Sequence, residues 1–376
     1  MVYLHVPFCR SFCTYCDFYS EIACRDRDEQ LFEAYTASVC AEASRRRDEI
    51  EATRDLNTLY IGGGTPSVLP PTSLKRMIAS LPGDHPFSEF TVEVNPEDIV
   101  EKGAEYVREL LALGVNRVSM GVQSLDDGIL RWMNRRHDAA RAREAFRILR
   151  EAGVRNISVD VIFGLPQLSE AVLAQTLTEI AAWRPEHVSA YQLSIEEGST
   201  LGRLAREGRF SEAPQEQCAA QYALICRLLR EAGYGHYEIS NWALPGFEAV
   251  HNSAYWSRHP YVGLGPGAHS FDGITRFWNK DTLPGPAQQD VSGGSLPLRG
   301  GKEVLSEREA LEEEIMLGLR TARGVPEGLL DAARAAAMLA DGRLVRVPDG
   351  QPGGAGRVRI PEDRWFVSDD IIADLI

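Results

Sequence analysis

Seven short β-branched or aromatic runs, spaced by longer stretches of helical periodicity, constrain the fold of this chain most. The runs are Tyr3–Val6, Thr58–Gly62, Phe90–Val94, Arg117–Val122, Ile157–Phe163, His187–Leu193 and His236–Ile239. Apolar residues recur at helical spacing over 28–50, 71–81, 101–113, 138–152, 169–182 and 213–232. Stretches such as Glu109-Leu-Leu-Ala-Leu-Gly-Val115 set a glycine where a helix would end and a strand begin. Strand and helix alternating at this length imply right-handed βαβ crossovers and a parallel sheet. Seven units exceed a small open sheet, so the α/β pattern favours a full or partial (β/α) TIM-like barrel over a doubly wound fold. In either case ligands belong at the C-terminal ends of the strands.

The pattern then changes. Residues 283–302, rich in Pro and Gly, read as linker or irregular loop. Beyond them come helical stretches over 306–321 and 327–340, then strands Leu344–Val347 and Arg357–Ile360 around a Gly-rich tip at 349–356. Trp365–Val367 is expected to add a third strand. Two helices and a β-wing suggest a small winged-helix-like α+β domain. The expected division is a barrel over 1–245, a segment and linker over 246–302, and a C-terminal domain over 303–376. The run Glu312-Glu313-Glu314 reads as a solvated helix face.

Charge and cysteine usage narrow the function classes. A net charge of −14 argues against binding nucleic acid through its phosphates. No apolar run reaches the roughly 18 residues of a membrane span, and the N-terminus does not read as a secretory signal. Seven cysteines, three of them within eight residues, argue against a disulfide framework and for a metal site in a reducing compartment. The expected location is therefore the cytoplasm.

Those three are Cys9, Cys13 and Cys16, spaced Cys-x3-Cys-x2-Cys directly after the first run. A cubane cluster takes one ligand per iron, most often thiolates. Three thiolates in one loop leave the fourth iron to an amino acid-like cofactor, which can chelate it through amine and carboxylate. Structural zinc prefers four protein ligands and no second Cys pair follows, although His5 stands on the preceding strand. The remaining cysteines, Cys24, Cys40, Cys218 and Cys226, read as inert buried thiols.

The phrase Tyr3-Leu-His-Val-Pro-Phe-Cys9 with this spacing resembles the radical SAM superfamily, and more closely its oxygen-independent coproporphyrinogen III oxidase-like group. Ordered matches run along the chain: Gly62-Gly-Gly-Thr65-Pro-Ser, Glu93-Val-Asn-Pro, Arg117-Val-Ser-Met-Gly-Val-Gln123-Ser, Asn134-Arg135-Arg-His137, Asp160-Val-Ile-Phe-Gly-Leu-Pro166, Tyr237-Glu-Ile-Ser-Asn241 and Gly263-Leu-Gly-Pro-Gly-Ala-His269-Ser. The resemblance implies a radical SAM partial barrel with a HemN-type C-terminal domain, a [4Fe–4S] cluster on the three cysteines, and bound S-adenosylmethionine. It places Tyr3, Tyr15, Gly63, Gly64, Thr65, Glu93, Gln123, Arg135 and Asp160 around that cofactor. Arg135 suits the cofactor's carboxylate, and Glu93 and Asp160 its sugar or amine. A Gly-Gly-Gly turn lets the backbone approach a ligand closely, and a plain tight turn is the alternative.

Two features separate members of the group. The decarboxylating oxidases carry a further cysteine two residues after the third ligand, where this chain has Phe18. The chain also has His251-Asn-Ser-Ala-Tyr255-Trp256, the His-Asn-x-x-Tyr-Trp signature of HemW-type heme chaperones. An imidazole can ligate heme iron, and Tyr and Trp can stack on a macrocycle. His251, Tyr255 and Trp256 are accordingly the expected heme residues, with His259 and His269 read as structural. The implied partners are heme or a porphyrin and an unidentified acceptor protein, with no nucleic acid. A peripheral membrane contact and the choice between monomer and dimer stay open, and no catalytic residue is assigned. The competing readings are a coproporphyrinogen III oxidase and a barrel with structural zinc.

Overall fold

Strict period-two alternation shapes the centre of the fold. In a computed structural model, which describes residues 1–22, 28–83, 86–283, 299–347 and 356–376, six strands pair in parallel and in sequence order. They are β1 (Val2–Val6), β2 (Thr58–Gly63), β3 (Glu89–Val94), β4 (Arg117–Gln123), β5 (Ile157–Phe163) and β6 (His187–Gln192). Leu59, Ile61, Phe90, Val92, Val118, Met120, Val159 and Val188 are buried in the shared apolar core. The alternate residues Tyr60, Glu93, Ser119, Asp160 and Tyr191 line cavities instead. The result is an apolar outer layer under the helices and a polar lumen.

The sheet stays open. Val262–Leu264 adds in parallel beside β1, while Asn241–Ala243 pairs antiparallel with β6 and Gly235–Glu238 pairs antiparallel with Asn241–Ala243 at the outer edge, making nine strands. The partial (β/α) barrel expected from the sequence is therefore present, with one correction. The seventh run is not a seventh parallel unit. Only Ile239 and Ser240 separate Gly235–Glu238 from Asn241–Ala243, too short for a crossover, so the two strands form a hairpin. Val262–Leu264 also brings part of the 246–302 segment into the barrel sheet.

Helices follow the periodic stretches closely, as at Pro71–Ser80, Ala139–Ala152, Glu170–Trp183 and Gln215–Glu231. Asp138 and Ser169 cap two of them by accepting backbone N–H bonds. Four short helices went unread because each has too few turns for a periodic signal: Asp127–Trp132, Thr200–Arg206, Val250–Trp256 and Ser368–Ala373. The stretch read as linker ends in a strand, Arg299–Val304, which pairs with Thr275–Asn279 and through it with His269–Phe271. Residues 284–298, Cys24 and tip residues 349–355 lie outside the described residues.

The C-terminal unit is α+β, with helices Glu307–Leu319 and Ala332–Ala340 and a three-stranded sheet centred on Arg357–Arg359. A capping box between Ser306 and Glu309 starts its first helix. Its third strand is Val325–Pro326, not Trp365–Val367. Residues Glu362–Val367 form a 3₁₀ turn, because the buried Trp365 swings back to donate its indole N–H to the Ile360 carbonyl at 2.9 Å. The unit docks on the barrel edge through Glu362, which pairs with Arg230 (2.8 Å) and His236 (3.1 Å). His236 stacks flat on Trp242 at 4.0 Å and meets the edge of Trp365. Cys226 lies 4.0 Å from the same imidazole, and burial pushes its thiol up to about 12. Cys218 is buried too, while Cys40 is only part-buried. Among the described residues no helix is long and apolar enough to cross a membrane.

Candidate functional site

The C-terminal ends of the strands open into a cavity of about 680 Å³. Its lining includes Cys9, Cys13 and Cys16, all unpaired and only partly buried. The loop carrying them is pinned from several sides. Thr14 N–H donates to Met133 O (3.1 Å), Asn134 donates to Phe12 O (2.7 Å), and Leu201 N–H donates to Thr14 O (2.9 Å). Arg10 reaches Glu101 (2.5 Å) and Asp98 (3.5 Å) on the helix Pro96–Ala112. His5, offered above as a zinc alternative, bonds instead to Tyr19 O (2.8 Å) and Tyr3 OH (3.0 Å). Both its ring nitrogens are thereby spent, so this imidazole does not join the three thiols as a fourth ligand.

The donor chemistry around the sulfurs fits a three-thiolate cluster. Thr65 Oγ1 donates to Cys9 Sγ at 3.7 Å, and Arg135 Nη1 donates to Cys13 Sγ at 3.6 Å. Such contacts stabilise sulfur-borne negative charge. Without metal, burial above all, with the neighbouring Cys13 and Cys9 acting in the same direction, pushes Cys16 up to about 11. Burial likewise raises Cys9. Three thiols sensing one another on a single wall are a ready ligand set for a cation.

Around them stand all the residues expected at the cofactor except Tyr3: Tyr15, Gly63, Gly64, Thr65, Glu93, Gln123, Arg135 and Asp160. Gly63 adopts φ 106°, open chiefly to glycine, and a Cβ on Gly64 would lie 2.7 Å from the Phe8 carbonyl oxygen. The glycine run therefore serves both the turn and the close packing of the cysteine loop. Glu93 accepts from Tyr60 OH (2.7 Å) and Gly63 N–H (3.1 Å), and burial raises it to about 7. Asp160, also raised by burial, is held by Ser119. Gln123 sits at a bulge between β4 and β5 with φ 65°, and its buried Oε1 has no protein partner. Bulges of this kind re-aim a side chain.

Tyr3 falls elsewhere. It lines a second cavity of about 160 Å³ at the N-terminal ends of the strands, together with Tyr60, Arg117, His187, His251 and Tyr255. Position 3 points inward like His5 but lies one pleat nearer the barrel floor, so the ring cannot reach the cysteines.

The expected heme residues also lie on that floor. The helix Val250–Trp256 closes the narrow end of the barrel, its first amides held by the Glu89 carboxylate at 2.8 Å. His251 is buried, with Nδ1 bonded to Thr58 Oγ1 (2.9 Å) and Nε2 bonded to Tyr255 OH (3.1 Å). Burial lowers its pKa to about 3. With both nitrogens spent, this imidazole offers no lone pair to heme iron, which corrects the sequence reading. Tyr255 packs edge-on against His251 and Tyr261. Trp256 lies beside Glu238, a carboxylate raised to about 6 by burial. His259 pairs with Asp55 at 3.0 Å, consistent with a structural role. His269 differs, being exposed and stacked on Trp278, with no ring hydrogen bond to the described residues.

Several site residues escaped the sequence reading. Asn95 bridges Arg135 (2.6 Å) and Thr65 (3.0 Å), and Tyr60, Ser119 and Tyr191 line both cavities. Their signal was parity, since each of the last three shares the inward register of Gly62, Gly121 or Ser189.

Comparison with known proteins follows the same geometry. The family model of the Radical SAM superfamily matches residues 3–180. The heme chaperone HemW of Lactococcus lactis is 34% identical over 326 residues, 86% of this chain and 82% of that protein. The heme chaperone HemW of Bacillus subtilis is 35% identical over 330 residues, 86% and 84% of the respective chains. Among solved structures, the Escherichia coli coproporphyrinogen III oxidase HemN, a radical SAM enzyme, superposes with a TM-score of 0.75 at 20% identity. That match covers 99% of this chain and 89% of the oxidase.

Proposed function

Because this chain belongs to the radical SAM superfamily and, within it, to the HemW heme chaperones, we propose that it binds heme and passes it to an acceptor protein. It does so as a protein that also holds a [4Fe–4S] cluster and S-adenosylmethionine. The observation that carries this reading is identity of 34–35% with HemW proteins over more than four fifths of their length. The oxidase shares the fold at 20% identity, and Phe18 stands where the oxidases' extra cysteine would be.

Cys9, Cys13 and Cys16 hold the cluster. When bound, the cluster would supply single electrons to the cofactor beside it. The chain's own residues then divide the binding work. Arg135, fixed by Asn95 and the Gly121 carbonyl (2.8 Å), presents a guanidinium beside Cys13 for the cofactor's carboxylate. Glu93 and Asp160 accept from its amine or sugar hydroxyls, and Tyr15 packs beside Arg135 at the cluster wall. Phe12 and Phe18, 49% and 69% exposed, give the mouth of the cavity apolar faces that suit a macrocycle.

His269, rather than His251, would hold the heme iron. Its ring is exposed, it stacks on an indole, and partial burial lowers its pKa, so the imidazole is neutral at pH 7. His251, Tyr255 and Trp256 act by closing the barrel floor. The thiol usage fits a cytoplasmic location. The 303–376 unit is a separate domain clamped by Glu362, and heme, an acceptor protein and no nucleic acid remain the partners. Titration with heme should give a saturable Soret band, weakened at least tenfold by His269→Ala. Equal heme affinity in His269→Ala and wild type would overturn this ligand. Failure of the wild type to hand its heme to an apo-hemoprotein would overturn the chaperone reading.

A further inference from the structure

The floor cavity holds a charge without a hydrogen-bonded ion pair, which only shares the longer-range field of the buried Glu93 and Asp160. Arg117, at the start of β4, is 97% buried, since its relative exposure is 3%. Its Nε is buried without a hydrogen bond, and its guanidinium makes no ion pair with any described residue. A guanidinium cannot deprotonate its way out of burial, so it is among the costliest groups to leave unpaired. The nearest carboxylates spend their oxygens elsewhere, Glu93 on Tyr60 and Gly63 and Asp160 on Ser119 and Ser158. His187 is bonded to Ser158 and Tyr237, and His251 to Thr58 and Tyr255, so neither ring competes for an anion.

The space beside Arg117 is about 160 Å³. At roughly 30 Å³ per water, that accommodates a carboxylate-sized anion with a few waters, and excludes a porphyrin body. Tyr60, Ser119 and Tyr191 line this cavity and the upper one alike. We propose that the chamber between the barrel lumen and the helix Val250–Trp256 is a carboxylate-binding site built on Arg117. The carboxylate comes either as a small free anion or as the acidic arm of a ligand seated in the upper cavity. The second source rests on the heme reading and would be a porphyrin propionate; the first does not.

Formate is the probe, added to full-length heme-free protein at constant ionic strength in exchange for chloride. Wild type should show a saturable rise in melting temperature of about 2 °C or more, and Arg117→Met should show none. Wild-type crystals soaked in bromide, read by anomalous scattering, should give a peak against the Arg117 guanidinium, an arm that holds even if the variant fails to fold. Absence of a saturable formate effect in wild type, an equal effect in Arg117→Met, or solvent alone beside Arg117 in the bromide map would each overturn the site. If formate also weakens heme binding, the carboxylate is the porphyrin's. If heme affinity is unchanged while the formate shift persists, it is a free anion. Because the formate arm uses heme-free protein, its failure is distinct from failure of the chaperone reading.

Discussion

The two ends of the barrel are built on opposite principles. At the wide end, Cys9, Cys13 and Cys16 face a large cavity as free thiols with no disulfide among them, and Gln123 holds a buried oxygen without a protein partner. At the narrow end, the helix Val250–Trp256 has its histidine bonded at both nitrogens and its first amides held by Glu89, and the buried polar atoms left without a partner, Arg117 Nε and Trp256 Nε1, lie around that histidine rather than on it. Each end carries a short, recognisable sequence signature. A signature marks ligand chemistry only where its polar atoms remain available, and that test separates the cysteine loop from the histidine helix.

The largest expected effect lies at the wide end. Cys13→Ala should lower iron after anaerobic reconstitution from about four per chain to below one, whereas His251→Ala should leave it unchanged. Equal iron loss in both variants would erase the distinction between the ends.

Acid should act on the narrow end. Burial takes the His251 pKa from 6.5 to about 3, so the unfolded chain binds the extra proton first. The stability held by neutral His251 is complete above pH 6.5 and is lost as pH falls toward 3. At about 1.4 kcal/mol per unit, the full span is on the order of 5 kcal/mol. Urea unfolding of wild type and His251→Gln across pH 4–7 should show a shallower acid limb in the variant, and parallel curves would contradict this assignment.

Glu93 runs the other way. Its folded pKa of about 7 exceeds the ordinary 4.5, so stability falls as pH rises between those values and then levels off. The effect is about 3 kcal/mol at most. Glu93→Gln should flatten that limb in cofactor-free protein, measured by the same unfolding series.

The smallest effect concerns neither end but the clamp at the barrel's side. Glu362→Gln should cost about 1 kcal/mol, because Arg230 is largely exposed and only His236 is buried. Earlier proteolytic release of the C-terminal unit would reveal it, and an unchanged cleavage rate would place docking on Trp365 and its apolar neighbours instead.

Much of this was legible in the sequence because the information was local. The cysteine loop follows from its spacing and the six parallel strands from the alternation of strand and helix, while the place of Glu93 and Asp160 at the cavity was implied by the family resemblance. The four short helices were not, since six or seven residues carry no periodic signal. Nor could spacing show that Tyr3 faces the floor, or that Thr58 and Tyr255 engage both nitrogens of His251. Those contacts join residues up to 193 positions apart and exist only once the strands close around the lumen. Trp365 was misread as strand because its aromatic, β-branched surroundings match a strand until the indole turns back to Ile360.

One anaerobic assay tests most directly whether this scaffold carries heme or transforms a porphyrinogen. Reconstituted protein is given coproporphyrinogen III, S-adenosylmethionine and a reductant, and a parallel aliquot is given heme and an apo-hemoprotein. The account predicts no protoporphyrinogen in the first vessel and stoichiometric delivery of heme in the second. Sustained protoporphyrinogen formation without heme delivery would contradict it.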